Sequence, residues 1–283
     1  VLNWLPLGLT YAFLYMGRYN IKVSQHKFGD LNATGGQIPD ACNAGGDSMG
    51  ALCDPLMTNQ DFSTIFMVGT LVYGCSFLIN GPLTDRLGGK FSILMGAGGS
   101  ALMNLLMGLA TWSVLNDGPM GASIGTNLTS LFAVLYGVNM YFQSFGAVAV
   151  VKCNAPWFHV RERGVFGAIF GILISLGIYF AFDLGYKIVN SLGVAEVFFI
   201  PTLMLAIFWV ADFFLVRNSP EDAGLEDFDT ADASSGDDGP QLGALEVFKK
   251  MLTNPIIITI ALVEFCSGFI RQAPMQWYRT FAK

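Results

Sequence analysis

Two arginines, Arg18 and Arg271, lie inside long apolar runs of the sequence. A charged side chain at the middle of a bilayer costs about 2.5–3.5 kcal/mol on insertion scales, so such residues usually face a polar cavity or a partner. A guanidinium presents a planar fork of N–H donors that matches a phosphate or a carboxylate. These residues therefore indicate anion binding. Because Arg18 is close to the predicted end of its helix, it could instead extend to the outer interface.

Hydroxyl and amide side chains that could bind an anion occur on the same helix as Arg18 and on the fourth predicted helix. Tyr11, Tyr15 and Arg18 are spaced i, i+4, i+7, which places them on one stripe of a helix. The tyrosine hydroxyls could bind the oxygens of an anion, or the rings could simply pack between helices. Asn139 and Gln143, also four residues apart, could line a cavity or join helices, and for Asn139 we favour the second interpretation.

Three acidic residues also fall within apolar runs. Glu264 precedes Arg271 by seven residues on the same helix face, where it could be an ion-pair partner or a proton carrier. Asp183 and Asp212 lie near the ends of their runs, which predicts positions in contact with water.

The elements that must position these residues are membrane helices. The chain has 283 residues, of which 53% are hydrophobic and only 13% charged, about half the charge of a soluble domain. Runs this long and without alternation are helices, since lipid demands internal backbone hydrogen bonds. The glycines at 96, 98 and 99, and Gly167 and Gly171, predict close helix packing. The predicted spans are 2–20, 62–81, 91–112, 127–151, 164–186, 194–216 and 254–279.

The distribution of basic residues predicts orientation. Connections after the second, fourth and sixth runs hold eight Lys and Arg, against three (Lys22, Lys27 and Lys187) after the first, third and fifth. The positive-inside rule therefore places the N-terminus in the cytoplasm. We expect an integral protein of a bacterial inner membrane or of a eukaryotic cellular membrane. The segment 21–61 is then outside, where Cys42 and Cys53 could form a disulfide or be incidental thiols. Asn32 and Asn127 begin glycosylation sequons.

Several functions are disfavoured. The net charge of −6 argues against nucleic acid as a partner. Five cysteines without a C-x-x-C pattern, and His26 and His159 in predicted loops, give no metal site, no cofactor site and no catalytic set. We expect no enzyme activity and a monomer. The predicted divisions are a six-helix bundle at 1–216, a cytoplasmic linker with a short amphipathic helix at 217–253, and a seventh helix at 254–283.

The segment between the second and third runs resembles the signature of the major facilitator superfamily, G-x-L-x-D-R-x-G-R-K. The resemblance is carried by Gly81, Asp85, Arg86, Gly88 and Lys90, with Gly89 where arginine is usual. It implies an all-α facilitator fold, of which the chain supplies the N-terminal six-helix bundle and the first helix of the C-terminal bundle. It also implies a gating role for the motif.

A narrower resemblance, to the organophosphate:phosphate antiporters, covers nearly the whole chain. It is carried by the Tyr11, Tyr15 and Arg18 stripe, Tyr73, the pair Phe142 and Gln143, Trp157 with the 161–164 segment RERG, the 217–225 segment RNSPEDAGL, and Arg271 six residues before Trp277. It implies that Arg18 and Arg271, on equivalent helices of two halves, clamp a phosphate-bearing substrate. The sequence lacks the lysine, histidine and tryptophan that this family has near Phe77, Ile174 and Ala147.

The resemblance predicts antiport of a small organic phosphate against inorganic phosphate by alternating access. Substrate contacts would come from Arg18, Arg271, Tyr11, Tyr15, Tyr73 and Gln143. Because of Glu264, proton-coupled symport of a carboxylate or another organic anion stays open. A third alternative is a seven-helix receptor, which the signature and the predicted cytoplasmic N-terminus disfavour. A fourth is a fragment that does not transport, since the family would have five further helices.

Overall fold

The computed structural model describes residues 3–31, 37–38, 54–116, 124–125, 127–226, 229–231 and 244–281. The chain divides into two compact units, Val1–Asp232 and Ala233–Lys283. Among the described residues, the α-helices of the first unit are α1 (Trp4–Asp30), α2 (Asn59–Leu87), α3 (Gly89–Leu115), α4 (Leu128–Asn154), α5 (Arg163–Tyr179), α6 (Gly185–Ser191) and α7 (Glu196–Leu215). Those of the second are α8 (Ala244–Thr253) and α9 (Pro255–Phe281).

The described residues are helical apart from turns and one isolated bridge between Leu31 and Gln37. A π-helical turn at Phe180–Leu184 joins α5 to α6, so these form one continuous span. Among the described residues, six spans are long and apolar enough to cross a membrane. They are Asn59–Leu87, Gly89–Leu115, Leu128–Trp157, Val160–Ser191, Glu196–Leu215 and Pro255–Gln272. The predicted all-α membrane fold is confirmed.

Helix α1 is surrounded by protein. It packs against α3, α4, α5, the π-helical turn and α7, and most of its residues are buried. This explains why α1 carries polar residues, among them Asn20 and Gln25, and is not one of the six apolar spans. Its polar side chains find partners in neighbouring helices instead of facing lipid.

The predicted end of the first helix, at residue 20, is wrong by ten residues, because α1 continues to Asp30. Lys22 and His26 therefore lie within the helix and not in a loop. The Lys22 side chain is buried, donates to Gln25 Oε1, and its Nζ lies 5.6 Å from the centroid of the Phe66 ring. The run of polar residues after Tyr19 lowers the hydropathy without ending the helix, since those residues face protein.

Glycines allow close helix contacts in one of the two predicted groups, the glycines at 96, 98 and 99. A Cβ added to Gly96 or Gly99 would lie within 3.1 Å of Phe142 atoms on α4. A Cβ at Gly167 or Gly171 would meet nothing within 4 Å among the described residues, so the predicted packing face has no partner in that part of the chain. Cys42, Cys53 and the sequon at Asn32 lie outside the described residues.

Candidate functional site

Arg18 is the centre of a buried polar cluster in the first unit. Its side chain is on α1 and only 8% of the residue is exposed. Nε donates to Gln143 Oε1 on α4 at 3.1 Å, and Nη2 donates to the Tyr73 hydroxyl on α2 at 3.1 Å. The guanidinium carbon also lies 4.9 Å from the centroid of the Tyr15 ring and 4.5 Å from that of Tyr73. Predicted substrate residues from three helices therefore meet at one point.

The charge of Arg18 is held by neutral groups. Within the part of the chain that the structure describes, no carboxylate lies within ion-pair distance of its guanidinium. The aromatic faces and the amide and hydroxyl oxygens stabilise a cation without neutralising it. The positive charge of Arg18 therefore has no neutralising carboxylate among the described residues.

The orientation of the Gln143 amide is fixed by its other contacts. Its Nε2 donates to Leu14 O and to Ser100 Oγ, each at 2.9 Å. Both contacts require the nitrogen on that side, so Oε1 must face Arg18. The hydroxyl of Ser100 in turn donates to Asn139 Oδ1 at 2.7 Å, which uses its one hydrogen and makes it an acceptor for Gln143.

Asn139 joins α4 to α1 and α3, which is the interpretation that we favoured for it. It is fully buried, and its Nδ2 donates to Gly17 O of α1 at 3.1 Å. Asn104 of α3 also donates to Gly17 O, at 3.2 Å, and accepts from Asn20 Nδ2. Ser100 and Asn104 could not be recognised as part of this cluster from the sequence. Only their position on a helix rich in small residues indicated close packing there.

A cavity of about 320 Å³ lies between α1, α4 and α5, and Arg18, Tyr73 and Gln143 are not among its lining residues. Tyr11, which is 7% exposed, forms part of its wall and packs edge-to-face on Tyr15 with ring centroids 5.3 Å apart. Phe158, Phe166 and Phe170 form an aromatic wall. Ala147 and Ile174, two positions at which the sequence departs from the antiporter resemblance, also line it.

The other two predicted charged residues belong to the second unit. Arg271 and Glu264 are both on α9 and both exposed. Among the described residues, no ion pair joins them. The clamp of Arg18 with Arg271 and the coupling role of Glu264 stay predictions.

The signature motif forms the turn between α2 and α3. Gly88 alone separates the helices, with φ +86° and ψ 157°, a conformation that is essentially restricted to glycine. Asn218 Oδ1 accepts from the Lys90 backbone N–H at 2.8 Å, and Lys90 Nζ donates to Phe213 O at 2.6 Å. Lys152 at the end of α4 pairs with Asp85 at 2.9 Å, in an exposed position. Gly81 and Arg86 lie within α2, and Arg86 is exposed.

The prediction that Asp212 of α7 contacts water is wrong. It is fully buried, not wetted, and its Oδ2 accepts from Thr10 Oγ1 of α1 at 2.6 Å. Its Oδ1 has no hydrogen-bond partner among the described residues. The residue is near the end of its helix, as predicted, but α1 covers it. Asp183, by contrast, is exposed.

The fold and the site define an all-α membrane protein with a buried arginine that no described carboxylate neutralises. The model of the Major Facilitator Superfamily matches residues 7–283, and the chain belongs to this superfamily. It is therefore an integral membrane protein of a transporter family. The interpretation as a seven-helix receptor is set aside.

Three relatives refine this placement. The glycerol-3-phosphate transporter of Bacillus subtilis (strain 168) is 24% identical over 253 residues, covering 82% of this chain and 52% of that protein. The membrane sensor protein UhpC of Salmonella typhimurium is 20% identical, covering 80% and 49%. The probable hexose phosphate transport protein of Chlamydia muridarum is 22% identical, covering 73% and 45%. The chain spans about half the length of the curated relatives it matches.

Proposed function

We propose that this protein is a secondary transporter of a small organic anion, working by alternating access, with Arg18 as its principal anion ligand. The observation that carries the proposal is the buried guanidinium of Arg18, held by Gln143 and Tyr73 without a carboxylate among the described residues. Keeping a cation out of water without a counter-ion is costly, and an incoming anion removes that cost. Binding energy of this kind can drive a change of conformation.

An organophosphate is the cargo that the names of the relatives favour, and we propose that it exchanges against inorganic phosphate. Two of them are named as transporters of glycerol phosphate and of hexose phosphate. The planar fork of Arg18 suits a phosphate group, and the hydroxyl of Tyr73 offers a further contact. In our proposal Arg271 of α9 supplies a second cation. The pair repels when no anion is bound, which slows return of the empty carrier and makes transport an exchange.

We further propose that the N-terminus lies in the cytoplasm and that residues Gly81–Lys90 act at the cytoplasmic gate. The positive-inside distribution of the connections supports the orientation. The contacts of Lys90 with Phe213 and of its backbone with Asn218 support the gate, since they tie the start of α3 to the end of α7. A movement of α7 would therefore displace the signature segment, residues 81–90.

The test is exchange in proteoliposomes loaded with inorganic phosphate, with labelled glycerol phosphate added outside. We expect uptake that requires internal phosphate, and loss of that uptake in Arg18→Lys, because lysine keeps the charge but lacks the planar fork. Arg161→Lys, the same change at an exposed arginine, is the matched control.

Uptake that Arg18→Lys leaves unchanged would exclude Arg18 as the ligand. Uptake of a carboxylate driven by a proton gradient, with no phosphate exchange, would replace the proposal by symport and direct attention to Glu264. Binding of phosphate without any uptake would favour a sensor, the role for which UhpC is named.

A further inference from the structure

We infer that α8 lies flat in the headgroup region of the membrane, with its apolar face in lipid and its charged face in water. The partner of this face is a lipid surface and not another protein. The inference concerns how the second unit is seated in the bilayer, and it depends neither on the cargo nor on Arg18. It is carried by the segregation of side chains on α8 and by the junction of α8 with α9.

The described side chains of α8 divide into an apolar face and a polar face. Phe248, Met251 and Leu252 are spaced i, i+3 and i+4, which places them within about 100° of one another around the helix axis. The opposite side carries polar and charged residues, namely Glu246, Lys249, Lys250 and Thr253. Met251 is 44% exposed and Leu252 is 72% exposed, so the described residues leave much of the apolar face uncovered.

Helix α8 is held at the boundary of the membrane by its junction with α9. A single residue, Asn254, separates the end of α8 from the apolar span Pro255–Gln272. The backbone N–H of Asn254 donates to Met251 O at 3.3 Å, and its carbonyl oxygen accepts from the Ile258 N–H at 3.0 Å. Its side-chain Oδ1 accepts from the Ile256 N–H at 3.0 Å, which caps α9. The last turn of α8 therefore stays at the level at which the span begins.

The length and the charge of α8 both favour an interfacial position. A helix of 10 residues extends about 15 Å, half the thickness of the hydrocarbon core, so α8 does not cross it. Seating the apolar face about 5–10 Å into the boundary between headgroups and acyl chains removes it from water. Anionic headgroups attract the lysines of the polar face. Lys250 pairs with Glu246 at 3.9 Å, whereas Lys249 has no ion pair among the described residues.

The experiment measures the depth of single nitroxide labels on the full chain in liposomes that contain anionic lipid. The 5 native cysteines are replaced by alanine, and one cysteine at a time is introduced as Phe248→Cys, Leu252→Cys, Lys249→Cys or Thr253→Cys. Collision with oxygen reports hydrocarbon around the label, and collision with a water-soluble nickel chelate reports water. We expect labels at the two apolar positions to lie about 5–10 Å below the headgroup boundary, and nickel to reach labels at the two polar positions.

Two results would overturn the inference. Labels at 248 and 252 that neither oxygen nor nickel reaches would show that a protein surface covers the apolar face. Nickel reaching all four labels equally would show that α8 stands in water.

A second pair of variants, Phe248→Trp and Lys249→Trp, keeps every cysteine and tests the same point should the cysteine-free chain not fold. The fluorescence of the added tryptophan is taken as the difference from wild type, whose 5 tryptophans are common to both variants. Lipids brominated on the upper part of the acyl chain should quench the added tryptophan in Phe248→Trp and not in Lys249→Trp. Equal quenching in the two variants would contradict the inference.

Discussion

Replacing Gln143 by glutamate should severely weaken anion binding, because it puts a carboxylate where Arg18 now has a neutral partner. The Gln143 oxygen lies 3.1 Å from Arg18 Nε, and a glutamate is nearly the same shape. The new carboxylate would neutralise the guanidinium and repel a bound phosphate. Gln143→Met is the matched comparison, since both variants lose the amide donor to Leu14 O and Ser100 Oγ but only one gains charge.

The size of the effect follows from Coulomb's law. Two unit charges about 4 Å apart interact by about 4 kcal/mol at the effective dielectric constant of about 20 that describes most protein sites. Each 1.4 kcal/mol is tenfold in affinity, so Gln143→Glu should bind phosphate about 100- to 1,000-fold more weakly than Gln143→Met. Gln143→Met itself should be weaker than wild type, because the hydrogen bond to charged Arg18 contributes about 1.5–3 kcal/mol.

Calorimetric titration of the two purified variants with inorganic phosphate measures this ratio. Their melting temperatures serve as the control, since both should fall below that of wild type through the lost amide contacts. Equal phosphate affinities in Gln143→Glu and Gln143→Met would refute the prediction, because a charge beside Arg18 would then have no effect on anion binding.

Three further predictions concern stability. Gly88→Ala should lower the free energy of unfolding by about 1–3 kcal/mol, because a φ of +86° with extended ψ is essentially restricted to glycine. Gly81→Ala is the control and should not lower the melting temperature, because its Cβ would meet nothing within 4 Å among the described residues; similar losses in both variants would contradict this. Thr10→Val should lower the free energy of unfolding by about 1–3 kcal/mol, because it removes the one hydrogen-bond partner of Asp212 among the described residues. In denaturant titrations, the double variant with Asp212→Leu should recover part of that loss. Lys152→Ala should change stability by less than about 1 kcal/mol, because its ion pair with Asp85 is exposed, and a larger loss would show a contribution beyond that pair.

The fold could be predicted from the sequence because lipid imposes long apolar helices. Six of the predicted spans appear as apolar membrane-length helices, since hydropathy measures what faces lipid. The same measure fails for α1, which is surrounded by protein and continues through Lys22 and Gln25 to Asp30. The π-helical turn at Phe180–Leu184 could not be predicted, because the spacing of apolar residues in the sequence does not distinguish it from an α-helix.

The site was only partly predictable. Residue type singled out Arg18, and helical spacing joined it to Tyr15, but nothing in the spacing could bring Tyr73 and Gln143 to it from other helices. That grouping came from resemblance to a family. Ser100 was missed because a serine in a glycine-rich run is typical of packing, and Asp212 was misplaced because nearness to a helix end says nothing of the helix that covers it.

The neutral partners of Arg18 explain how one residue can be both buried and able to bind. An acidic partner would hold the guanidinium more strongly, but an anionic substrate would then have to displace it. Gln143 holds Arg18 through a neutral oxygen, which does not neutralise the guanidinium, and the orientation of its amide is set by Leu14 O and Ser100 Oγ and not by the arginine. The network through Asn139 and Asn104 to the Gly17 carbonyl then ties α3 and α4 to the turn of α1 that carries Arg18. The guanidinium is therefore held in position before substrate arrives, while its charge stays uncompensated by any described carboxylate until an anion binds.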